Sequence, residues 1–297
     1  MKILVIGLSG FLGKNLFSFL RKKKNYTILS IQRSSLTSKN TSKNFLFLKA
    51  DIGKLTNKNI NFIKNFKPEV IINLAWEGIP NFSYNQCKKN FNLHMRFFNK
   101  IKEIESIKKI IMTGSCWEYS KELKQCIESS KKFSSSHFAK SKISIFNKIN
   151  NFTKKKKINF VWFRIFFMYG PFQKEKSLIP SIISSIKKNK TLSLKYPNDS
   201  NDFIYVRDVC EAILKSIEHY NINGIYNLGS GRPTKNKIIY SKVLKVFKKI
   251  HIKKDNLPLE NSKGKIKYAK IKKILKKLGW RPKTSLISGI KILAKQQ

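Results

Sequence analysis

The sequence predicts an α/β protein, a doubly wound parallel sheet followed by a smaller C-terminal α/β region. Two patterns carry that prediction. Short runs rich in Ile, Val, Leu and Phe alternate with longer amphipathic, lysine-rich stretches as far as Phe166. The apolar runs are nearly continuous, as expected of strands buried on both faces. Beyond Pro171 the pattern loosens, and Pro180, Pro197, Pro233, Pro258 and Pro282 punctuate a more irregular region.

In chain order the expected strands are Lys2–Ile6, Thr27–Gln32, Phe45–Leu48, Val70–Leu74, Lys109–Thr113 and Asn159–Phe166. Helical spacing marks Lys14–Lys23, Asn85–Ile104 and Ala139–Phe152 between them. The run Lys154–Lys157 reads as a solvated helix end. Lys2 followed by the apolar stretch Ile3 to Leu12 mimics a short secretory leader, but glycines punctuate it and no small-residue cleavage site follows. A buried first strand is the better reading. Lys263–Lys277 carries eight lysines, with Ile271, Ile274, Leu275 and Leu278 at i, i+3, i+4 and i+7. A packed helix is expected there rather than a basic helix lying on a membrane.

No apolar run approaches the ~18 residues of a membrane span. The longest, Ile158 to Gly170, is broken by Arg164. Cys87, Cys116, Cys126 and Cys210 show neither metal-ligand spacing nor disulfide density, which points to a reducing, cytoplasmic setting. The charge is extreme: 62 Lys+Arg against 16 Asp+Glu, a net +46. The lysines run along nearly the whole chain, however, and arginine, which dominates specific readout of bases, is scarce. Nucleic acid is therefore not the expected partner.

Gly7, Gly10 and Gly13 follow the first strand in Gly-x-x-Gly-x-x-Gly spacing and open a helix. A pyrophosphate must approach bare backbone closely, and the free N–H groups of the helix start then receive it. With that context the turn, including Phe11 and Leu12, reads as a dinucleotide site. An NAD-type site wants a carboxylate about twenty residues further on. No Asp or Glu occurs between Lys14 and Ala50, and the expected spot holds Gln32-Arg33. A guanidinium can hold a 2′-phosphate that a carboxylate would repel, so NADP is preferred over NAD. Asp51 and Ile52, ending the third strand, are placed to meet the adenine.

At this point the chain resembles the extended short-chain dehydrogenase/reductase family, the NAD(P)-dependent epimerases and dehydratases of nucleotide sugars. Beyond the glycine turn, the resemblance rests on Asn73-Leu74-Ala75-Trp76, Asn90, and Gly114 through Tyr119. It continues through Arg164-Ile165-Phe166 with Tyr169-Gly170-Pro171, Asp202 through Val209, Tyr226 through Gly231, and Leu278 through Pro282. It implies a Rossmann-type dinucleotide-binding domain over 1–168, with 203–228 returning to it. A smaller substrate-binding domain over 169–202 and 229–297 completes it. It also implies cofactor contacts from Leu74, Ala75, Asn90 and Phe166, a nucleotide-sugar substrate and a homodimer.

In this family a Tyr phenol moves the proton on a sugar oxygen while nicotinamide exchanges a hydride with the sugar carbon. A Lys four residues later holds the cofactor ribose, and a Ser or Thr hydrogen-bonds the same oxygen. Ser115 matches the Ser/Thr and Lys142 the Lys, but the Tyr slot is Phe138. Tyr-x-x-x-Lys spacings at Tyr84/Lys88 and Tyr268/Lys272 are what chance supplies in so lysine-rich a chain. His137 points about 100° away from Phe138 on a helix and cannot simply replace it. Tyr119, close to Ser115 in sequence, is the candidate substitute.

The acidic pair that dehydratases place after the Ser/Thr is Cys116-Trp117 here, and Cys116 lies one place off the Cys of proton-abstracting epimerases. What remains is a 4-ketoreductase or 4-epimerase of a nucleotide sugar, serving surface-polysaccharide sugar synthesis. Phe167 and Asn201 replace residues that usually help hold the substrate's nucleotide. The alternative is a dinucleotide-binding sensor or scaffold that has lost catalysis.

Overall fold

The computed structural model describes residues 1–33, 44–130, 136–190, 192–247 and 264–295. Pro258 and Lys263 lie outside the described residues. The chain runs β1 (Lys2–Ile6), α1 (Phe11–Leu20), β2 (Thr27–Gln32), β3 (Phe45–Lys49), α2 (Asn57–Phe66), β4 (Val70–Asn73) and α3 (Tyr84–Ile101). Then come β5 (Lys109–Ser115), a 3-10 turn at Cys116–Glu118, β6 (Gln125–Cys126), α4 (His137–Lys155), β7 (Asn159–Ile165) and β8 (Phe167–Tyr169). The remainder is α5 (Leu178–Lys187), β9 (Ser200–Tyr205), α6 (Val206–Glu218), β10 (Gly224–Leu228), β11 (Pro233–Lys235), α7 (Asn236–Val246), β12 (Ile266–Ala269), α8 (Lys272–Leu278) and α9 (Leu286–Lys295). All six expected strands form. The first helix begins at Phe11 instead of Lys14 because Gly10 caps it directly.

Seven strands make one parallel sheet in the order β10-β7-β5-β4-β1-β2-β3. The winding direction reverses between β1 and β4. Loops leaving their carboxyl ends therefore diverge and open a crevice there. Alternation along β1 divides the core in two. Ile3 and Val5 pack with α1 through Leu12, Leu16 and Leu20, with α6 through Val209 and Ile213, and with α8 through Ile274 and Leu278. Leu4 and Ile6 face the other layer, where Ile63 of α2, Phe97 of α3 and Ile145 of α4 are buried. Helices thus cover both faces, which is why the strand sequences are uniformly apolar.

A smaller sheet, β11-β9-β12-β6 with β8 alongside β9, carries the second region. Helices α5, α7 and α9 pack on it through Ile182, Val243 and Ile290. Residues 203–205 belong to this sheet, so the chain's return to the main sheet starts with α6 and ends with β10 as its edge strand. Two carboxylates fasten the later segments. Asp202 accepts from the Ser230 and Gly231 amides, the Ser230 hydroxyl and the Ala269 amide, at 2.6–3.0 Å. Asp208 accepts from the Lys283 and Thr284 amides, each at 3.1 Å.

The stretch expected as one helix from Lys263 is corrected. Residues 266–269 form β12, and only α8 is helical, with Ile274 and Leu278 buried and Leu275 45% exposed. The strand forms because β6 and β9 pair with it on either side and the Asp202 carboxylate accepts its Ala269 amide, which the local spacing did not foretell.

Candidate active site

The glycine turn sits at the carboxyl end of β1, at the crevice. Its three glycines are needed for different reasons. Gly7 has φ +91°, and a Cβ there would press on the Ala75 amide nitrogen at 2.9 Å. At Gly13 a Cβ would collide with the Gly7 carbonyl oxygen, so that glycine lets α1 pack against the turn. A Cβ on Gly10 would meet only the Gly7 carbonyl oxygen, at 3.3 Å. Gly10 is therefore the position left bare toward the crevice. It offers α1 no side-chain cap, and the amides of Phe11 and Leu12 have no acceptor among the described residues. Phe11 is half-buried, and Leu12 and Gly13 are buried.

At the end of β2, Gln32 is buried and both its amide atoms lack partners among the described residues, as does the Ser30 hydroxyl. Arg33 is exposed, and its guanidinium is ion-paired with Glu77 at 2.6 Å. Lys89 holds the other oxygen of the same carboxylate at 2.9 Å. Asp51 and Ile52 are half-buried on the neighbouring loop, where the Asp51 carboxylate accepts from the Gly53 amide at 2.7 Å.

Leu74 and Ala75 leave β4 across the glycine turn. The Leu74 amide donates to the Ile6 carbonyl and the Ala75 amide to the Asn73 side chain. Asn90 does not present its amide to the crevice. It accepts from the Glu77 amide at 2.7 Å and donates to the carbonyls of Glu77 and Gln86. Its work is to hold the loop that carries Trp76 and Glu77. The side chain of Phe166 is likewise directed away, packing with Tyr119, Cys116 and Cys126 in a separate small cluster.

Ser115 ends β5, half-buried, with its hydroxyl accepting from the Trp117 amide at 3.2 Å. Beneath it lies Glu118, fully buried, which accepts from the Ser115 amide, the Trp162 indole and Arg164. The Glu118–Arg164 pair, at 2.9 Å with both side chains fully buried, fixes the 3-10 turn. Helix α4 starts at the Ser136 cap, whose hydroxyl accepts from the Ala139 amide, and places Phe138 and Lys142 one turn apart. The Lys142 ammonium donates to the Thr113 carbonyl at 2.8 Å and lies 4.3 Å from the centre of the Trp76 ring. Burial pulls its pKa down to about 8, against the opposing pull of Glu118.

Phe138 stands among aromatic rings. Trp76 meets it edge-on at 5.0 Å, Phe82 lies at 4.8 Å and Trp117 at 5.8 Å. Behind them His94 is held neutral, pushed down to about 3 by burial and then by Lys142, beside the Asn73 amide. His137 turns outward against Tyr84. The expectation for Tyr119 is corrected. Its ring is fully buried under the Arg164 guanidinium, and its hydroxyl donates to Asn227 at 2.7 Å. That phenol is part of the packing and does not reach the mouth. Cys116 is buried, which pushes its thiol up to about 12 and keeps it protonated at neutral pH.

Sequence reasoning missed Glu77, the Glu118–Arg164 support and the aromatic packing around Phe138. A signal existed for the ion pair, since Arg164 interrupts the longest apolar run and must find a buried partner. Glu77 had none, because the pairing joins loops far apart in sequence.

A parallel sheet with this switch point and a bare glycine turn on it defines a Rossmann-type α/β fold. Residues 3–229 match the NAD dependent epimerase/dehydratase family. The chain belongs to that family, within the extended short-chain dehydrogenase/reductases. A human relative, dTDP-D-glucose 4,6-dehydratase, is 22% identical over 98% of this chain and 88% of its own length. GDP-6-deoxy-D-talose 4-dehydrogenase of Aggregatibacter actinomycetemcomitans is 26% identical over 78% of this chain and 75% of its own. Among solved structures, the UDP-glucuronic acid 4-epimerase of Bacillus cereus, in complex with UDP-glucuronic acid and NAD, superposes with a TM-score of 0.85. It is 22% identical and covers 100% of this chain and 99% of that one.

Proposed function

We propose that the protein is an NAD(P)(H)-dependent 4-ketoreductase or 4-epimerase of a nucleotide sugar, working in surface-polysaccharide sugar synthesis. Residues 1–168 with the return through α6 and β10 would bind the dinucleotide, and the smaller region the nucleotide sugar. The observation that carries this reading is the meeting of Lys142 with the end of β5, its ammonium on Thr113 two residues from Ser115. The crevice fits a dinucleotide. Bare amides at Phe11 and Leu12 suit a pyrophosphate, and the unpartnered Gln32 amide suits a sugar hydroxyl beside it.

When bound, the nicotinamide would exchange the hydride. Lys142 would anchor its ribose, and Ser115, oriented by the Trp117 amide, would hydrogen-bond the sugar oxygen. Dehydration is disfavoured because Cys116 is buried and protonated, and Trp117 carries no acid. With Phe138 in the Tyr slot, the proton on the sugar oxygen passes through Ser115 and water. NADP(H) is the preferred form, since Arg33 is the charged residue at the end of β2, with Glu77 as the counter-ion a 2′-phosphate displaces.

The test is NADPH oxidation with a panel of 4-keto nucleotide sugars, together with epimerisation of their 4-hydroxy forms. The wild type is expected to turn over slowly and Phe138→Tyr about 10²- to 10⁴-fold faster. One observation favours a second reading, a dinucleotide-binding sensor or scaffold: three aromatic rings pack around Phe138. No wild-type turnover of any such sugar, with tight NADPH binding, would favour that reading.

A further inference from the structure

On the outer flank of α1 a cavity of about 660 Å³ opens between that helix, the 170–173 turn, α5, the start of α6 and α9. Lys14 and Ser18 of α1, with Lys22 in the turn after it, line the cavity, while Leu12, Leu16 and Leu20 face the core. Arg207, at the start of α6, also lines it. None of the lining residues is acidic, and none of the three cations has a carboxylate partner among the described residues. Aromatic faces hold two of them instead. Arg207 lies 5.5 Å from the Phe19 ring centre and Lys14 5.4 Å from that of Phe172. Ring faces position a cation without neutralising it.

Two further polar groups converge here. Tyr205 lines the cavity, is only 1% exposed, and its hydroxyl has no partner among the described residues. The side-chain oxygen of Gln173 is also buried and without a partner among the described residues. Pro171, Pro180, Ile183 and Leu293 make the remaining wall apolar. The glycine turn does not line the cavity, so this space is separate from the crevice.

We propose that the cavity binds a small phosphorylated molecule, its phosphate between Arg207 and the two lysines and its ring against the proline–isoleucine wall. A guanidinium fork with flanking ammonium groups is suited to phosphate oxygens. The volume lies in the range of ligand pockets. Because α1 forms one wall and α5 and α9 the opposite one, the occupant ties the main sheet's outer layer to the second region.

Phenyl phosphate is the probe, titrated calorimetrically against the full chain. One-to-one binding is expected, at least about tenfold weaker in Lys22→Gln/Arg207→Gln. Both side chains are exposed, so that variant should fold. Gly10→Val, which blocks the crevice, should leave the affinity within about twofold. Inorganic phosphate should bind more weakly than phenyl phosphate. The proposal is overturned by absent binding, by a loss that follows Gly10→Val, or by equal affinity for the two probes. An equal loss in Lys245→Gln/Lys276→Gln, which removes the same charge from other exposed positions, would also overturn it by reducing the effect to overall charge.

Discussion

Lys142 concentrates the physics of the candidate site in one side chain. A buried lysine whose pKa falls from 10.5 to about 8 is charged at a cost in the folded state. Between those values the unfolded chain binds more protons than the folded one, so stability rises as pH climbs from about 8 toward 10.5. Thermal melts across that range should show the rise in the wild type and a smaller one in Lys142→Met. Side-chain NMR of the ammonium should give a midpoint near 8. A second prediction concerns Glu77, whose carboxylate neutralises Arg33. Glu77→Gln should tighten NADPH relative to NADH by about tenfold in fluorescence titrations, by removing a charge that a 2′-phosphate must displace. Ser115, Lys142 and Phe138 were singled out in the sequence by the family resemblance, which marks positions along the chain. Their environments were not. Whether Tyr119 faces the mouth or the core depends on Asn227, more than a hundred residues away.

At the scale of elements, the main sheet was readable because burial on both faces writes a continuous apolar run for each strand. The second sheet was not, since its strands are short and β12 lies in a lysine-rich segment whose local spacing favours a helix. What makes β12 a strand is long-range: pairing with β6 and β9, and Asp202 accepting the Ala269 amide. Asp202→Ala would strand the amides of Ser230, Gly231 and Ala269 without their acceptor. A loss of at least about 3 kcal/mol is expected in denaturant titrations. The same substitution should disturb the second region more than the glycine turn, which hydrogen exchange would resolve.

For the whole molecule, the net +46 governs the electrostatics outside the core. Repulsion among dispersed lysines opposes compaction, and salt screens it over about 10 Å at 0.1 M. The melting temperature should therefore rise as sodium chloride is raised from low to well above that concentration; a flat or falling response would show that local pairing outweighs the repulsion. No helix among the described residues is long and apolar enough to cross a membrane.

The placement of β10 bears on biogenesis. The outer edge of β7 is closed by a strand that leaves the ribosome only after the whole of β8, α5, β9 and α6 has been made. Until then the nascent chain carries a naked, hydrophobic sheet border, a template for unwanted pairing. A fragment ending near residue 170 keeps that border for good, and should associate with itself where the intact chain would not.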